Sequence, residues 1–417
     1  MPTMHTTGFD AVVGNPPFLN QLERRTANDR RISAMLACRW GSSISAYTDT
    51  SSTMLLLAVS IAKAGGRVGF VLPQSFLASR DAGPIRCEVL RHASLEHLWL
   101  ADGPTFEGTD ILTCAPTLHI AGPRHTVLHT TLSLRFDSCT PINIDHQHLA
   151  EQETWAPIAA RARGVPSISI ETTRTIAEVA TATADFRDQY YGLAGFIVES
   201  DSLEPADADN WADYPPILTS GLIDPAVCRW AETSTSILKQ RWRAPRIDRR
   251  AMHKRGELGP WIASRLIPKI ILATQTRVLE VLVDETGRYL PGLPLITIVP
   301  NEADDIWRVA SVLASPVASA LALTRYTGVA MSVDSIKLAA RQVLTLPMPE
   351  PGPALDEAAK NFREASKQNT PSERLRFLLA SAEASCRAFG LSSEEHADVM
   401  QWWTARLKRN RSLRDAH

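Results

Sequence analysis

Phe9-Asp10-Ala11-Val12-Val13-Gly14-Asn15-Pro16-Pro17-Phe18 is a short apolar run that ends in a glycine, an asparagine and two prolines. The run predicts a strand, and the Gly-Asn-Pro-Pro sequence predicts a sharp turn at its carboxyl end. In open α/β sheets that edge is where ligands sit. Each proline lacks a backbone donor and fixes its own φ, so two in a row give a stiff turn whose carbonyl oxygens remain as outward acceptors. Asn15 adds a side-chain carbonyl and Phe18 an aromatic face. Two fixed acceptors beside an aromatic surface suit an exocyclic amino group on a ring that can be stacked. Phe18 reads equally as a core aromatic that closes the turn.

Asp49 and the apolar segment from Met54 to Ala64 predict a connecting helix. Ala64-Gly65-Gly66-Arg67-Val68-Gly69-Phe70-Val71-Leu72-Pro73-Gln74-Ser75-Phe76-Leu77 then predicts a glycine turn, a second strand and a Pro-x-Ser-Phe-Leu exit. Leu95 to Ala101 and Asp110 to Ala121 predict further strands of the same sheet, with Phe106 just before the last. In this ordered series, Asn15-Pro16-Pro17-Phe18 resembles the catalytic tetrad of the adenine-specific DNA methyltransferases of restriction-modification systems. The resemblance implies that the Asn15 side-chain oxygen and the Pro16 carbonyl accept the hydrogens of an adenine amino group, while Phe18 stacks on the flipped base. Phe106 reads as a second wall of the base pocket or as plain strand packing. The implied donor is S-adenosylmethionine and the implied partner is double-stranded DNA.

Members of that family carry a glycine-rich strand-turn-helix and an acidic strand end for the cofactor ahead of the tetrad. Fourteen residues precede Asn15 here, and no Phe-x-Gly-x-Gly follows later. Cofactor-binding residues are therefore unknown in this chain. The expected fold is α/β: the C-terminal half of a class I, Rossmann-like methyltransferase sheet, then an α+β target-recognition domain and a helical tail. A separate chain supplying the cofactor half is one way to complete the enzyme. A DNA-binding recognition module, or an inactive remnant of such an enzyme, is the alternative.

With 417 residues, 44% of them hydrophobic and 21% charged, the chain is long enough for several cores. The net charge of -1 gives no global basic footprint, so nucleic-acid contacts must come from local patches. The six cysteines, Cys38, Cys87, Cys114, Cys139, Cys228 and Cys386, lie scattered without a Cys-x-x-Cys pair, which indicates neither a zinc site nor a disulfide framework. No metal is expected. The most apolar run, Met54 to Ala62, is far shorter than the roughly 20 residues a membrane helix needs. A cytoplasmic location is expected.

Four regions follow: a partial catalytic domain over 1–137, a connecting helical region and acidic linker over 138–213, a target-recognition-like domain over 214–350, and a helical tail over 351–417. A helix is expected near Thr173 to Tyr191, and Glu199 to Asp209 reads as an acidic linker or exposed loop. Between Lys239 and Arg255 stand Lys239, Arg241, Arg243, Arg246, Arg249, Arg250, Lys254 and Arg255 against one acid, Asp248. That segment reads as a solvated basic face or a phosphate-tracking surface, and the resemblance favours DNA. Lys269 to Arg277 predicts a strand, with Val278 to Val283 and Leu295 to Val299 as partners and turns at Asp284 to Gly287 and Leu290 to Gly292. A helix over Asp304 to Tyr326 and the segments 331–338 and 343–349 complete the region. Gln275 and Arg277, carried on the first of these strands, are candidates for base or phosphate contacts, or simply exposed polar residues. The basic end, Arg406 to Arg414, either touches DNA or frays.

Overall fold

The Gly-Asn-Pro-Pro run does end a strand. In the computed structural model β1 (Phe9–Gly14) lies at the edge of a mixed sheet in the order β1-β2-β5-β4-β6-β7. The structure describes residues 8–19, 29–45, 47–132, 137–138, 141–151, 154–184, 187–255, 258–327 and 335–413. The chain divides into two units, Met1–Val165 with Leu323–Val333, and Pro166–Ala322 with Asp334–His417.

In the first unit α1 (Arg30–Trp40) and α2 (Thr50–Ile61) follow β1, then β2 (Ala62–Phe70) and β3 (Leu72–Pro73). Asp49 caps α2 by accepting from the Ser51 amide at 2.7 Å, which satisfies one of the helix's orphan donors. The expected helix ends three residues early, because Ala62 to Ala64 already belong to β2. α3 (Gly83–His92), β4 (Ala93–Leu100), β5 (Thr113–Ile120), β6 (His125–Leu132), β7 (Asp137–Ser138), β8 (Ile142–Asp145), α4 (His146–Glu151) and α5 (Ala156–Ala162) complete the unit. β1 runs parallel to β2 and β4 parallel to β6, whereas β5 is antiparallel to both β2 and β4. One face is packed: Leu55 and Leu56 of α2 and Ile85 and Val89 of α3 share a core with Val68, Leu95, Leu98 and Leu118. From β1 only Val12 reaches this core, while Phe9, Ala11 and Val13 are exposed, Val13 at 82%.

Gly65 and Gly66 lie inside β2 rather than before it. A Cβ on Gly66 would sit 3.0 Å from the Phe9 and Asp10 carbonyl oxygens, and the β1–β2 register shifts at this point. Glycine is required there because two backbones nearly touch at an irregularity in the ladder.

The second unit centres on a sheet in the order β18-β17-β20-β9. Its strands are β9 (Ala180–Ala184), β17 (Lys269–Ala273), β18 (Glu280–Asp284) and β20 (Ile296–Pro300). Between β9 and β17 come α6 (Arg187–Gly192), β10 (Ile197–Glu199), α7 (Pro205–Ala208), β11 (Ile217–Leu218), β12 (Ile223–Asp224), β13 (Val227–Cys228), β14 (Thr235–Ile237), β15 (Gln240–Trp242), β16 (Pro245–Ile247), α8 (Arg249–Arg255) and α9 (Gly259–Arg265). β19 (Leu290–Pro291) stands between β18 and β20. α10 (Ile306–Leu313), α11 (Pro316–Tyr326, its last residues grouped with the first unit), α12 (Ala340–Leu344), α13 (Pro353–Ser366), α14 (Pro371–Ala388) and α15 (Ser393–Leu407) follow.

Several expectations need correcting here. The stretch from Thr173 to Tyr191 is not one helix. Its alternating Ala-Thr segment is extended and pairs with β20 as β9, between a 3-10 turn over Ile176–Glu178 and α6. Glu199 to Asp209 is exposed but lies within the second unit and is anchored: the Glu199 carboxylate accepts from the backbone amides of Arg243 and Ala244. The helix over 304–326 breaks at Ala314-Ser315 with a bend of 64°, because Pro316 cannot continue the hydrogen-bond ladder. Residues 340–344 form α12, and Pro347 makes an isolated bridge with Thr175. Of the segment 331–338, residues 331–334 lie outside the described residues, and Ile336 bridges Thr276. Leu290-Pro291 is not only a turn, since it pairs with β11.

The helical tail is as expected. α13 and α14 pack closely through Ala358 and Ser381, whose hydroxyl donates to the Ala358 carbonyl at 2.8 Å. The basic end does not fray up to residue 413: Leu413 is buried, and Arg406 Nε donates to the Arg277 carbonyl at 2.9 Å. Five of the six cysteines are free thiols, and Cys139 lies outside the described residues. No single described helix is long and apolar enough to cross a membrane. The bent pair Ala303–Leu313 and Pro316–Tyr326 reaches that length and composition together, but its residues are mostly buried as core.

Candidate functional site

At the carboxyl end of β1 the chain is pinned on both sides of the double proline. The Val71 amide donates to the Gly14 carbonyl at 2.9 Å, and the Thr50 amide donates to the Leu19 carbonyl at 3.2 Å. A Cβ on Gly14 would sit 3.0 Å from the Phe70 ring, so any larger residue here would force that ring to give way. Pro16 is buried and fixes the turn, whereas Asn15 is exposed. Neither the Asn15 carboxamide nor the Pro16 carbonyl makes a hydrogen bond within the described residues, so both acceptors stay available.

Phe18 is half-buried and meets Phe106 edge to face, with ring centroids 6.4 Å apart and planes at 61°. Phe106 is 37% exposed on the loop between β4 and β5, so it is not packed within a strand. Asn15, Pro16, Pro17 and Phe18 thus form one turn with Phe106 beside it. Asp49, a short distance along the chain, has its carboxyl pushed above the ordinary range by burial, an effect its bonds to Ser51 oppose. Its side chain is already committed to capping α2.

Sequence reasoning passed over Gln74. It is 1% exposed, and its Nε2 donates to the carbonyls of Ala101 and Thr113, both at 2.8 Å. The Arg163 guanidinium donates to Gln74 Oε1 at 2.7 Å. The one clue in the sequence was a polar residue inside the predicted Pro-x-Ser-Phe-Leu exit.

The basic segment of the second unit does not form one surface. Arg241 is exposed on β15 of the β14–β15 hairpin, and Arg243 is exposed just beyond the end of that strand. Arg241 Nε donates to Ser234 Oγ at 2.9 Å. Arg246 is only 4% exposed. Its guanidinium lies against the rings of both Trp211 and Trp230, at 4.8 and 4.9 Å, and donates to Ser200 Oγ and the Tyr214 carbonyl at 2.9 and 2.8 Å. This removes Arg246 from the phosphate-tracking set: β16 is buried along its whole length, paired with β10 and bridged to Pro216, and there two indoles and two acceptors compensate the desolvation of Arg246. Gln275 and Arg277 are exposed but lie beyond the end of β17, not on it. Gln275 has φ of +67°, and its amide donates to the Ile336 carbonyl at 2.8 Å.

Beside α8 a cavity of about 420 Å³ is lined by Asp213, Arg249, Arg250, His253 and Lys254. Arg250 is paired with Asp207 and Asp213, whose carboxyl it holds below the ordinary range. Arg249 donates to the Ala212 carbonyl, and His253 and Lys254 are uncommitted among the described residues. No group of three His, Cys, Asp or Glu side chains among the described residues could hold a metal ion.

Residues 2–104 match the family described as Eco57I restriction-modification methylase. Among solved structures, the chain is similar to the type IIL restriction-modification enzyme MmeI in complex with DNA, at 12% identity and a TM-score of 0.57, covering 96% of this chain and 57% of that one. The chain therefore spans a little over half the length of MmeI. A looser likeness, at 14% identity and a TM-score of 0.43, joins 86% of this chain to 41% of a nuclease-deletion mutant of the type ISP restriction-modification enzyme LlaGI. A type I methyltransferase subunit from Streptococcus thermophilus is 21% identical over 36% of this chain and 33% of its own, with a TM-score of 0.26. None of the curated proteins matches. The likeness to MmeI is one of fold. The family match covers the strand, tetrad and connecting helix that the sequence had singled out.

Proposed function

We propose that this chain is the base-capturing and DNA-recognising part of a site-specific, N6-adenine DNA methyltransferase of a restriction-modification system, working in the cytoplasm. The observation that carries the reading is the pair of uncommitted acceptors, Asn15 Oδ1 and the Pro16 carbonyl, fixed in a rigid turn beside the half-exposed ring of Phe18. The lone pair of an adenine amino nitrogen is delocalised into the ring. Two acceptors that take its hydrogens favour a tetrahedral nitrogen and free that lone pair to attack, an effect of positioning and electrostatics. Phe18 offsets part of the cost of flipping the base out of the duplex, a few kcal/mol.

S-adenosylmethionine is the methyl donor in this reading. The described residues do not fit it by themselves: β1 leads into a double proline rather than a glycine-rich helix start, and Gly65 and Gly66 lie inside β2. The free edge of β1 and its bare face of Phe9, Ala11 and Val13 suit further sheet that would carry the donor, whether from this polypeptide or from a partner chain. Arg241, Arg243, Lys254 and His253 would contact phosphates, with Gln275 and Arg277 as further nucleic-acid contacts. The division into catalytic and recognition parts belongs to the same proposal. A recognition module without methyl transfer is the second reading, favoured by the lack of a glycine-rich donor turn among the described residues.

The test supplies the donor-binding half and measures N6-methyladenine in unmethylated genomic DNA together with duplex affinity. Asn15→Ala should abolish methylation and leave affinity nearly unchanged. Full methylation by Asn15→Ala would refute the assignment, and duplex binding without methylation by the intact sequence would favour the second reading.

A further inference from the structure

The loop between β4 and β5, residues 101–112, is exposed over most of its length yet places Phe106 against Phe18. Holding an exposed loop in one arrangement costs conformational entropy, so something must fix its stem. The backbone does part of this: the Ala101 amide donates to the Thr113 carbonyl at 3.0 Å, and the Thr105 and Thr113 hydroxyls lie 2.6 Å apart. Gln74 does the rest from outside the loop. Its amide donates to the Leu112 carbonyl at 2.8 Å, and its side-chain nitrogen bonds the carbonyls of Ala101 and Thr113, one at each end of the stem.

A primary amide has two hydrogens and two carbonyl lone pairs, and here both hydrogens are spent on the stem. The remaining oxygen accepts from Arg163 at 2.7 Å, and the same guanidinium nitrogen lies 3.4 Å from the Ala101 carbonyl. Arg163 thereby fixes which way the Gln74 amide faces. With its amide flipped, Gln74 would aim an oxygen at two carbonyls and a hydrogen at a cation, so the orientation is determined by its neighbours. Gln74 follows β3, whose partner β5 begins where the loop ends. The clamp therefore ties the loop to the sheet that also carries the Asn15 turn.

We propose that Gln74, oriented by Arg163, is a positioning residue that hangs the 101–112 loop so that Phe106 forms the second wall of the base site facing Phe18. This rests on the base-capture reading above, and it adds a residue that touches neither base nor donor. Removing the clamp leaves Asn15 and the Val71–Gly14 bond untouched, so it weakens capture of the base rather than activation of its amino group.

The full chain labelled with 4-fluorophenylalanine reports the clamp by fluorine resonance, with Phe18→Leu and Phe106→Leu identifying the two signals. In Gln74→Met the Phe106 signal should move to the position of an exposed ring and sharpen, while that of Phe76 stays in place. Arg163→Met, a change at a half-buried position that spares the core, should shift it in the same direction by less. A second measurement follows fluorescence quenching of 2-aminopurine placed in a mismatched duplex, which needs no methyl donor. Gln74→Met should weaken that capture about tenfold, within the range that one stacking surface contributes. An unmoved Phe106 signal in both variants would overturn the clamp. A displaced signal with unchanged capture would overturn the role in base binding. No capture by the unsubstituted chain would instead sink the base-site reading while the clamp itself stood.

Discussion

Arg246→Ala separates the buried arginine of the basic segment from the exposed Arg241 and Arg243, the proposed phosphate contacts. The side chain is 4% exposed, packed against Trp211 and Trp230 and bonded to Ser200 Oγ and the Tyr214 carbonyl. A desolvated cation–π contact contributes about 2 kcal/mol, and a hydrogen bond involving a charged group about 1.5–3 kcal/mol. The cost of desolvating the guanidinium offsets much of that sum. Truncation, however, leaves a cavity beside two indoles and removes the donor to the buried Tyr214 carbonyl. The expected loss is about 3–5 kcal/mol, near the upper end for a single substitution. Arg241→Ala and Arg243→Ala, at exposed positions, should change stability by no more than about 0.5 kcal/mol. Urea unfolding read by tryptophan emission, with hydrogen exchange of residues 196–248 to localise the change, measures the difference. The two units need not unfold together, so exchange in the second unit is the decisive signal. If Arg246→Ala lost less than about 1 kcal/mol and lowered the salt dependence of duplex binding as an exposed arginine does, the buried assignment would be wrong.

Glu280 provides a pH test. Burial, then the nearby Asp224, pushes its carboxyl from an ordinary 4.5 up to about 8, against the lowering effect of its bond from Asn410. Between those values the folded chain holds a proton that the unfolded chain has lost, so stability should fall as pH rises and level off above about 8. Glu280→Gln should flatten that decline and gain up to several kcal/mol relative to the native chain at pH 9, with no gain at pH 4; parallel pH–stability curves would contradict it. Gly14→Ala forces the Phe70 ring to give way and should cost about 1–3 kcal/mol while displacing the Asn15 turn, seen as lower thermal stability together with weaker base capture. The double change Arg241→Ala with Arg243→Ala should weaken duplex binding across sequences and reduce the salt slope by about 2, read from affinities at several salt concentrations.

Local sequence determined the first unit most completely. Apolar runs bounded by glycine and proline fixed β1, β2, β4 and β5 to within a few residues, and the double proline fixed the Asn15 turn, because these features act within a few bonds of the backbone. The three tail helices were equally legible from their period and alanine content. Sequence could not say which way a cation faces. Arg241, Arg243 and Arg246 are equivalent as letters, but pairing of β16 with β10 and two distant tryptophans bury the third. Nor could it reveal Gln74, whose role depends on carbonyls 27 and 39 residues away and on an arginine 89 residues away. The Ala-Thr run at β9 became a strand because β20 offered it an edge. What the backbone decides locally was determined by the sequence itself. What depends on partners brought together by folding, including burial, orientation and charge compensation, was decided by the tertiary structure, because those free energies exist only once distant segments meet.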